Sequence, residues 1–206
     1  MKKVLLINGS PNVNGCTYTA LKEIQNTLKE EGIESDIHWI GNKPIPGCAA
    51  CKVCYTSECI FKDQVNELLN KIDDYGGIVV GSPVYYAGPS GQLCAFLDRL
   101  FYSSKGRMKY KLGASIVSCR RGGASSAFDR LNKYFTISEM PLVSSCYWNQ
   151  VHGNTPSEVI QDEEGMRTMR VLARNMAWLM KCIEKGNENN IPYPIKEAPK
   201  RTNFIR

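Results

Sequence analysis

The sequence predicts an α/β domain in which helices cover both faces of a parallel β-sheet. Five short apolar or alternating runs are separated by amphipathic segments whose apolar residues recur at spacings of three or four. Three of these runs end in loops rich in Gly and Ser. Strands that alternate with helices imply right-handed crossovers and therefore a parallel sheet. A length of 206 residues suits one domain with its own core.

The first half of the chain supplies three strands and two helices. Residues 3–8 (KVLLIN) form a continuous apolar run ended by Gly9, which is typical of a strand buried on both faces. The other predicted elements of this half are a helix over 17–31, a strand over 35–40, a loop rich in Gly and Pro over 41–47, a helix over 63–74 and a buried strand over 77–81. Because Pro83 lacks a backbone donor, the third strand is expected to end near it.

The second half continues the alternation and ends in a long helix. Its predicted elements are a helix around 93–100, a strand over 112–118, a helix around 128–135, a last strand over 142–148 and a helix over 162–185. The methionines of the last helix recur at helical spacing and indicate core packing. We therefore predict one domain over residues 1–185, followed by a C-terminal arm over 186–206.

Composition and charge restrict the class of function. No run of roughly 18 apolar residues is present, so no membrane span is expected, and the N-terminus lacks the long apolar region of a signal peptide. These features predict a cytoplasmic protein, in which cysteines serve as ligands, redox groups or core residues rather than disulfides. The net charge of +6 suits anionic small molecules, whereas the scattered Lys and Arg residues argue against nucleic acid as a partner.

The loop after the first strand, GSPNVNGCTYT, has the composition of an anion site. It opens a helix, whose first N–H groups and dipole favour negative charge, and its Ser, Asn and Thr side chains add donors. It contains neither the phosphate loop of nucleotide triphosphatases nor the dinucleotide-binding glycine pattern. A polar turn in which Thr17 only caps the helix remains an alternative.

The loops after the third and fourth strands extend this site. In GSPVYYAGPSG, apolar and aromatic residues follow the strand, while SCRRGGASS supplies two adjacent glycines and two arginines. Ligands of open α/β sheets lie beyond the carboxyl ends of the strands. Together the three loops predict a phosphorylated ligand with a flat aromatic ring.

Three segments resemble one known family. GSPNVNGCTYT, CAACKVC and GSPVYYAGPSGQLCAFLDR are similar, in order and spacing, to the NADPH-dependent FMN reductases and to the iron–sulfur flavoproteins among them. The resemblance covers about the first 135 residues well. It implies a flavodoxin-like three-layer fold with a five-stranded parallel sheet in the order 2-1-3-4-5, FMN as cofactor, NAD(P)H as co-substrate, and a homodimer or homotetramer whose second chain covers a shallow flavin site.

The resemblance also implies the residues that contact FMN. The phosphate would be held by Ser10, Asn12, Cys16 and Thr17. The isoalloxazine ring would be lined by Pro83, Val84, Tyr85 and Tyr86, and its other edge would face Ser118, Gly122 and Gly123. Relatives often have Arg in place of Asn12 and Asn in place of Cys16, so one charge partner of the phosphate is missing here.

Four of the nine cysteines lie in one span, GCAACKVCYTSEC, with the spacing C-x2-C-x2-C-x4-C. These are Cys48, Cys51, Cys54 and Cys59. Thiolates at such spacings can wrap one iron–sulfur cluster, and the resemblance implies a [4Fe–4S] cluster. A zinc site is disfavoured because structural zinc sites usually pair two C-x2-C units across a longer loop. An ordinary surface turn with free thiols remains open.

The leading functional hypothesis is an FMN-dependent NAD(P)H oxidoreductase that passes electrons to a small-molecule or protein acceptor. The flavin carries the chemistry, so no catalytic side chain is assigned. We see no base paired with Cys119, and no triad pattern around the two histidines. The alternatives are an iron–sulfur flavoprotein that carries electrons between protein partners, and a thiol-based redox sensor without turnover.

Overall fold

The computed structural model describes residues 2–195, 197, 198, 200 and 202 and contains the predicted parallel sheet. Its strands are β1 (Lys3–Asn8), β2 (Ser35–Trp39), β3 (Tyr75–Tyr85), β4 (Gly88–Pro89), β5 (Leu112–Cys119) and β6 (Gln150–His152). The order is β2-β1-β3-β5-β6, all parallel, and the short β4 pairs antiparallel with the end of β3. Without that hairpin partner, the five parallel strands have the predicted order 2-1-3-4-5.

Helices cover both faces of the sheet and create two hydrophobic cores. The helices are α1 (Cys16–Glu30), α2 (Gln64–Leu69), α3 (Gly91–Ser103), α4 (Ala124–Ile137), α5 (Pro156–Gln161) and α6 (Glu163–Glu188). Leu5 and Ile7 pack toward α2, α3 and α4, whereas Val4 and Leu6 pack toward α1, α5 and α6. This alternation along β1 divides the two cores, as expected for a strand buried on both faces. The fold is the flavodoxin-like three-layer arrangement.

The predicted last strand over 142–148 is wrong. In that segment only Leu142 forms a bridge, with Gly113, and the strand β6 begins at Gln150. The Ser145 hydroxyl donates to the carbonyl of Tyr147 and accepts from its N–H, at 2.7 and 3.3 Å. Such local side-chain bonds offer the backbone a turn in place of a ladder. The apolar run was therefore a poor guide to the strand's position.

The third strand continues past Pro83, contrary to expectation. Pro83 pairs with Ser118 of β5, and β3 runs to Tyr85. The pairing of β3 with β1 ends at Gly81, so after that residue β3 has a parallel neighbour, β5, on one side only before it turns back into β4. The backbone N–H that Pro83 lacks is therefore not needed for a bond to β1. This extension carries Val84 and Tyr85 out beyond the edge of the sheet.

The C-terminal arm is only partly described. Helix α6 continues to Glu188, so it passes the predicted boundary at residue 185, and Tyr193 then stacks on Tyr110 with ring centroids 4.9 Å apart. Residues 196, 199, 201 and 203–206 of the predicted arm lie outside the described part of the chain. Among the described residues, no helix combines the length and apolar character needed to cross a membrane.

Candidate functional site

Three loops meet at the carboxyl edge of the sheet. Loop 1 is residues 9–15 between β1 and α1, loop 2 is residues 83–88 at the β3–β4 turn, and loop 3 is residues 120–123 between β5 and α4. Parallel strands all end at the same edge, which is where open α/β sheets bind ligands. The contacts below show that the three loops form one continuous rim.

Loop 1 is fixed by its own polar groups. The side-chain oxygen of Asn8 accepts from the N–H of Ser10, and the hydroxyl of Ser10 accepts from the N–H of Asn12, both at 3.1 Å. The Trp39 indole donates to the Ser10 carbonyl at 2.8 Å. A hydroxyl that accepts one bond still has its own proton to donate. The structure therefore brings the predicted residues Ser10 and Asn12 together and holds the Ser10 hydroxyl in place.

The amino end of α1 has no side-chain cap in the described chain. Its N-cap residue is Gly15, and the first turn contains no acidic residue. The alternative in which Thr17 caps this helix is wrong, because its hydroxyl bonds the Ser118 hydroxyl of β5 at 2.8 Å. Unpaired first-turn N–H groups and the helix dipole favour an anion at this position. Thr17 and Ser118, both buried, join loop 1 to the end of β5.

The thiol of Cys16 bonds to a carbonyl outside loop 1. Its sulfur donates to the Gly153 carbonyl, beyond β6, at 3.7 Å, and burial raises the pKa of the thiol. Cys16 remains neutral at physiological pH for this reason. The group that Cys16 can offer to an anion is its backbone N–H.

Loop 2 is a tight hairpin turn in a conformation that favours glycine. Val84 pairs with Pro89 and Tyr85 with Gly88, so Tyr86 and Ala87 are the two central residues, with φ angles of 50° and 59°. Positive φ at both positions is the signature of a type I′ turn, in which non-glycine residues cost about 1 kcal/mol or more each. Tyr86 is fully exposed, Tyr85 is half exposed, and Pro83 and Val84 are half buried.

Loop 3 packs directly on loop 2 through a glycine. Gly123 has a φ of 86°, and a Cβ at this position would lie 2.8 Å from the Ala87 Cα and 3.2 Å from a Val84 methyl. A Cβ on the neighbouring Gly122 would meet nothing within 4 Å. The two predicted glycines therefore differ: Gly123 permits the contact between the loops, and Gly122 borders open space.

A thiol–imidazole pair, Cys119 and His152, lies beside the rim. The Cys119 sulfur is 3.5 Å from Nδ1 of His152, so the expectation that Cys119 lacks a base was wrong. The β5–β6 register places the two residues side by side, and the misplaced last strand had hidden this pairing. The backbone N–H of His152, not its ring, donates to the Asp162 carboxylate at 2.6 Å. Burial raises the pKa of Cys119, which keeps it a thiol at neutral pH.

The four clustered cysteines occupy a long loop between β2 and α2. Cys48 and Cys51 are exposed, Cys54 is buried in a short 3₁₀ turn over Val53–Tyr55, and Cys59 is half buried. Within the described residues, no three Cys, His, Asp or Glu side chains lie close enough together to hold a metal ion. The donor set matches a [4Fe–4S] cluster in number and type. The loop would have to close around such a cluster to bind it.

The rim suits a phosphorylated flavin in its chemistry. It combines an uncapped helix terminus, the hydroxyls of Ser10, Thr17 and Ser118, and an apolar edge at Val84 and Tyr85. Two cavities of about 750 and 790 Å³ lie around Lys2 and Tyr75, at the opposite end of the strands.

A family model for NADPH-dependent FMN reductase matches residues 2–155. An iron–sulfur flavoprotein of Methanocaldococcus jannaschii is 31% identical over 192 residues, which cover 89% of this chain and 100% of the relative. An iron–sulfur flavoprotein of Methanosarcina thermophila is 27% identical over 191 residues, with 90% and 99% covered. The family match includes the cysteine loop and ends before α6, and the matches to the two relatives cover about nine-tenths of the chain.

Solved structures share the fold at low sequence identity. RosB, determined with bound 8-demethyl-8-formylriboflavin-5′-phosphate, has a TM-score of 0.69 and 13% identity, and the match covers 100% of this chain and 94% of RosB. A WrbA-like flavodoxin from Agrobacterium tumefaciens has a TM-score of 0.63 and 14% identity, with 88% and 99% covered. At such identities the likeness establishes the flavodoxin-like fold.

Proposed function

Because the chain belongs to the family of NADPH-dependent FMN reductases, and within it to the iron–sulfur flavoproteins, we propose that it takes electrons from NADH or NADPH through FMN and passes them to an acceptor. The observation that carries the FMN site is the uncapped amino end of α1, tied through Thr17 and Ser118 to the end of β5. That arrangement offers backbone N–H groups and hydroxyls to a phosphate in one fixed place.

The residues of the rim then have distinct tasks. Ser10, Thr17 and the first-turn N–H groups of α1 bind the phosphate. Asn12 contributes its side-chain amide, since its backbone N–H bonds the Ser10 hydroxyl, and Cys16 contributes its backbone N–H. Pro83, Val84, Tyr85 and Tyr86 line the ring, and Ser118, Gly122 and Gly123 border its other edge. Bound FMN supplies the hydride and electron transfer, while the protein supplies orientation, electrostatics and exclusion of water.

No side chain needs to act as a general acid or base in this proposal. The proposal requires that one flavin face stays open, so that the nicotinamide and the acceptor would occupy the same surface in turn. Arg120 and Arg121, both exposed on loop 3, place positive charge beside that surface. Positive charge there favours an anionic reactant such as a nicotinamide dinucleotide.

A second candidate function is electron transfer between protein partners through an iron–sulfur cluster. The observation that favours it is the set of Cys48, Cys51, Cys54 and Cys59, in a chain whose relatives carry the name iron–sulfur flavoprotein. A cluster would supply one-electron transfer beside the two-electron chemistry of the flavin. The exposed thiols of Cys48 and Cys51 also suit the third candidate, a thiol-based sensor without turnover.

Two measurements on anaerobically purified protein test these candidates. Released FMN near one per chain supports the flavin site, and rapid bleaching of the flavin absorbance by NADPH or NADH in a stopped-flow instrument supports the reductase. A flavin that neither nicotinamide bleaches excludes the reductase and favours a carrier. Iron and sulfide near four per chain support the cluster, and protein without iron excludes it.

We further propose a cytoplasmic homodimer or homotetramer in which a second chain covers the rim. Tyr86 is fully exposed at loop 2, and Tyr147 and Trp148, each about half exposed, stack edge-on beyond β5. Exposed aromatic residues of this kind are common at protein interfaces. Sedimentation of the flavin-loaded protein at micromolar concentration tests the assembly, and a monomer alone contradicts it.

A further inference from the structure

The most fully bonded charged side chain in the core belongs to Arg99 of α3. It is completely buried, although arginine is rarely so. Its guanidinium group offers five N–H donors in a rigid fork. The structure pairs all of these donors, and every acceptor lies in one stretch of chain, residues 46–63.

The acceptors lie on both sides of the loop's cysteines, at Pro46 before Cys48 and at Cys59, Phe61 and Asp63 at the end of the loop. Two donors form a bidentate pair with the Asp63 carboxylate at 2.7 and 2.8 Å. Two more reach the carbonyls of Pro46 at 3.4 Å and Phe61 at 3.2 Å. The fifth, on Nε, donates to the sulfur of Cys59 at 3.4 Å. The Phe61 ring also lies 4.8 Å below the guanidinium carbon.

These contacts hold the charge in the core. Burial opposes the charged form of Arg99, but the hydrogen bonds to Asp63 and Cys59 outweigh it and its pKa is raised. Charge-assisted, bidentate bonds of this type are the strongest in proteins. Asp63 also caps α2 by accepting from the Val65 N–H, so the same carboxylate connects α3, the loop and α2.

The anchoring is unequal among the four cysteines. Cys59 is half buried and bonded to Arg99, whereas Cys48 and Cys51 are exposed on a part of the loop where Ala50 and Lys52 adopt positive φ. Arg99 bonds the Cys59 sulfur directly, whereas near Cys48 it reaches only the backbone carbonyl of Pro46. The other thiols would have to move toward Cys59 to complete a ligand set.

We propose that Arg99 is a positioning residue that holds Cys59 as the fixed ligand of the iron–sulfur cluster, and that its Nε–H bond to the Cys59 sulfur raises the reduction potential of that cluster. The inference rests on the proposed cluster. Hydrogen bonds to cluster sulfurs and nearby positive charge stabilise the reduced form, which is the more negative one.

Two conservative variants separate this role from simple structural support. Arg99→Lys keeps the charge but removes the bond to Cys59, so the cluster becomes harder to reduce. Asp63→Asn keeps a good N-cap for α2 but removes the charge that neutralises Arg99, so the cluster becomes easier to reduce. Arg107→Lys, at an exposed arginine paired with Asp73 at 3.3 Å, is the matched control.

The first measurement is a potentiometric titration of the loaded protein followed by electron paramagnetic resonance. We expect shifts of opposite sign for Arg99→Lys and Asp63→Asn, each about tenfold in the one-electron reduction equilibrium, or about 59 mV. Arg107→Lys should leave the potential unchanged. Shifts of the same sign in both variants, or no shift in Arg99→Lys, would overturn the proposal, because general loosening of the loop moves both variants alike.

The second measurement does not require the cluster. Iodoacetamide labelling of the full chain purified without iron, with each cysteine mapped by mass spectrometry, reports the anchoring directly. We expect Arg99→Lys to accelerate labelling of Cys59 several-fold while Cys48 and Cys51 keep their wild-type rates. Equal acceleration at all sites, or none at Cys59, refutes the anchoring. Absence of iron from the wild-type protein would instead remove the proposed cluster, so the two failures are distinguishable.

Discussion

Replacement of Gly123 by Ala tests whether loops 2 and 3 form one surface. The new Cβ would lie 2.8 Å from the Ala87 Cα, which is a backbone atom that cannot move alone, and 3.2 Å from a Val84 methyl. The φ of 86° adds the cost of a left-handed conformation, about 1–2 kcal/mol for an L-residue. Overpacking of this kind costs a further 1–3 kcal/mol, roughly, so the expected loss of unfolding free energy is about 2–5 kcal/mol.

The adjacent glycine provides the control. Gly122→Ala places a Cβ in open space at an unrestricted φ, and we expect its unfolding free energy to stay within about 0.5 kcal/mol of wild type. Urea denaturation of both variants without FMN measures stability, and fluorescence titration with FMN measures affinity. We expect Gly123→Ala to weaken FMN binding at least about tenfold, or 1.4 kcal/mol. Equal stability of the two variants would show that the contact between the loops is not close-packed.

Two further predictions concern the opposite ends of the strands. Thr17→Val keeps the shape of the side chain but removes the hydroxyl bonded to Ser118, so the FMN binding free energy should weaken by about 1–2 kcal/mol. The control is Thr27→Val, farther along α1, which should leave FMN affinity unchanged in the same fluorescence titration. At Tyr75, burial and a hydrogen bond to Asp36 raise the pKa from 10.0 to about 12. Because the pKa of Tyr75 is raised in the folded state, its neutral hydroxyl stabilises the fold below pH 10, and this stabilisation is lost as the pH rises toward 12. Between pH 10 and 12 the free energy of unfolding of the wild type should therefore fall by about 1–2 kcal/mol more than that of Tyr75→Phe. Denaturation curves with the same pH dependence in both proteins would rule out this contribution.

The sheet could be predicted from the sequence because its central strands are buried on both faces. Continuous apolar runs such as residues 3–8 and 77–81 have few other structures available to them in a chain of this length. The position of the edge strand β6 was predicted wrongly. This strand is only three residues long, and the apolar run before it forms a turn that is held by the Ser145 hydroxyl. That error concealed the pair of Cys119 and His152, which depends on strand register.

The role of Arg99 could not be predicted from spacing alone. It lies between Phe96 and Leu100 on the buried side of α3, and an arginine at such a position signals a charge that needs a partner. The partner, Asp63, is 36 residues earlier in the sequence, and the spacing of residues within one helix does not predict a contact over that separation. The same limit applies to the four cysteines, whose spacing indicates a shared ligand without fixing how the loop folds.

The strained turn of loop 2 explains why the rim depends on contacts between loops. Tyr86 and Ala87 adopt positive φ, a conformation that isolated L-residues rarely populate. The turn is stabilised from outside, because Gly123 packs against Ala87 and the Ser82 hydroxyl accepts from the Ser90 N–H at 3.0 Å. Strain of this kind persists only where the surroundings determine the backbone, and it concentrates at ligand sites. The geometry of loop 2 is therefore set by the β3–β4 hairpin and by Gly123, and a ring bound at Val84 and Tyr85 would meet a surface already held in place.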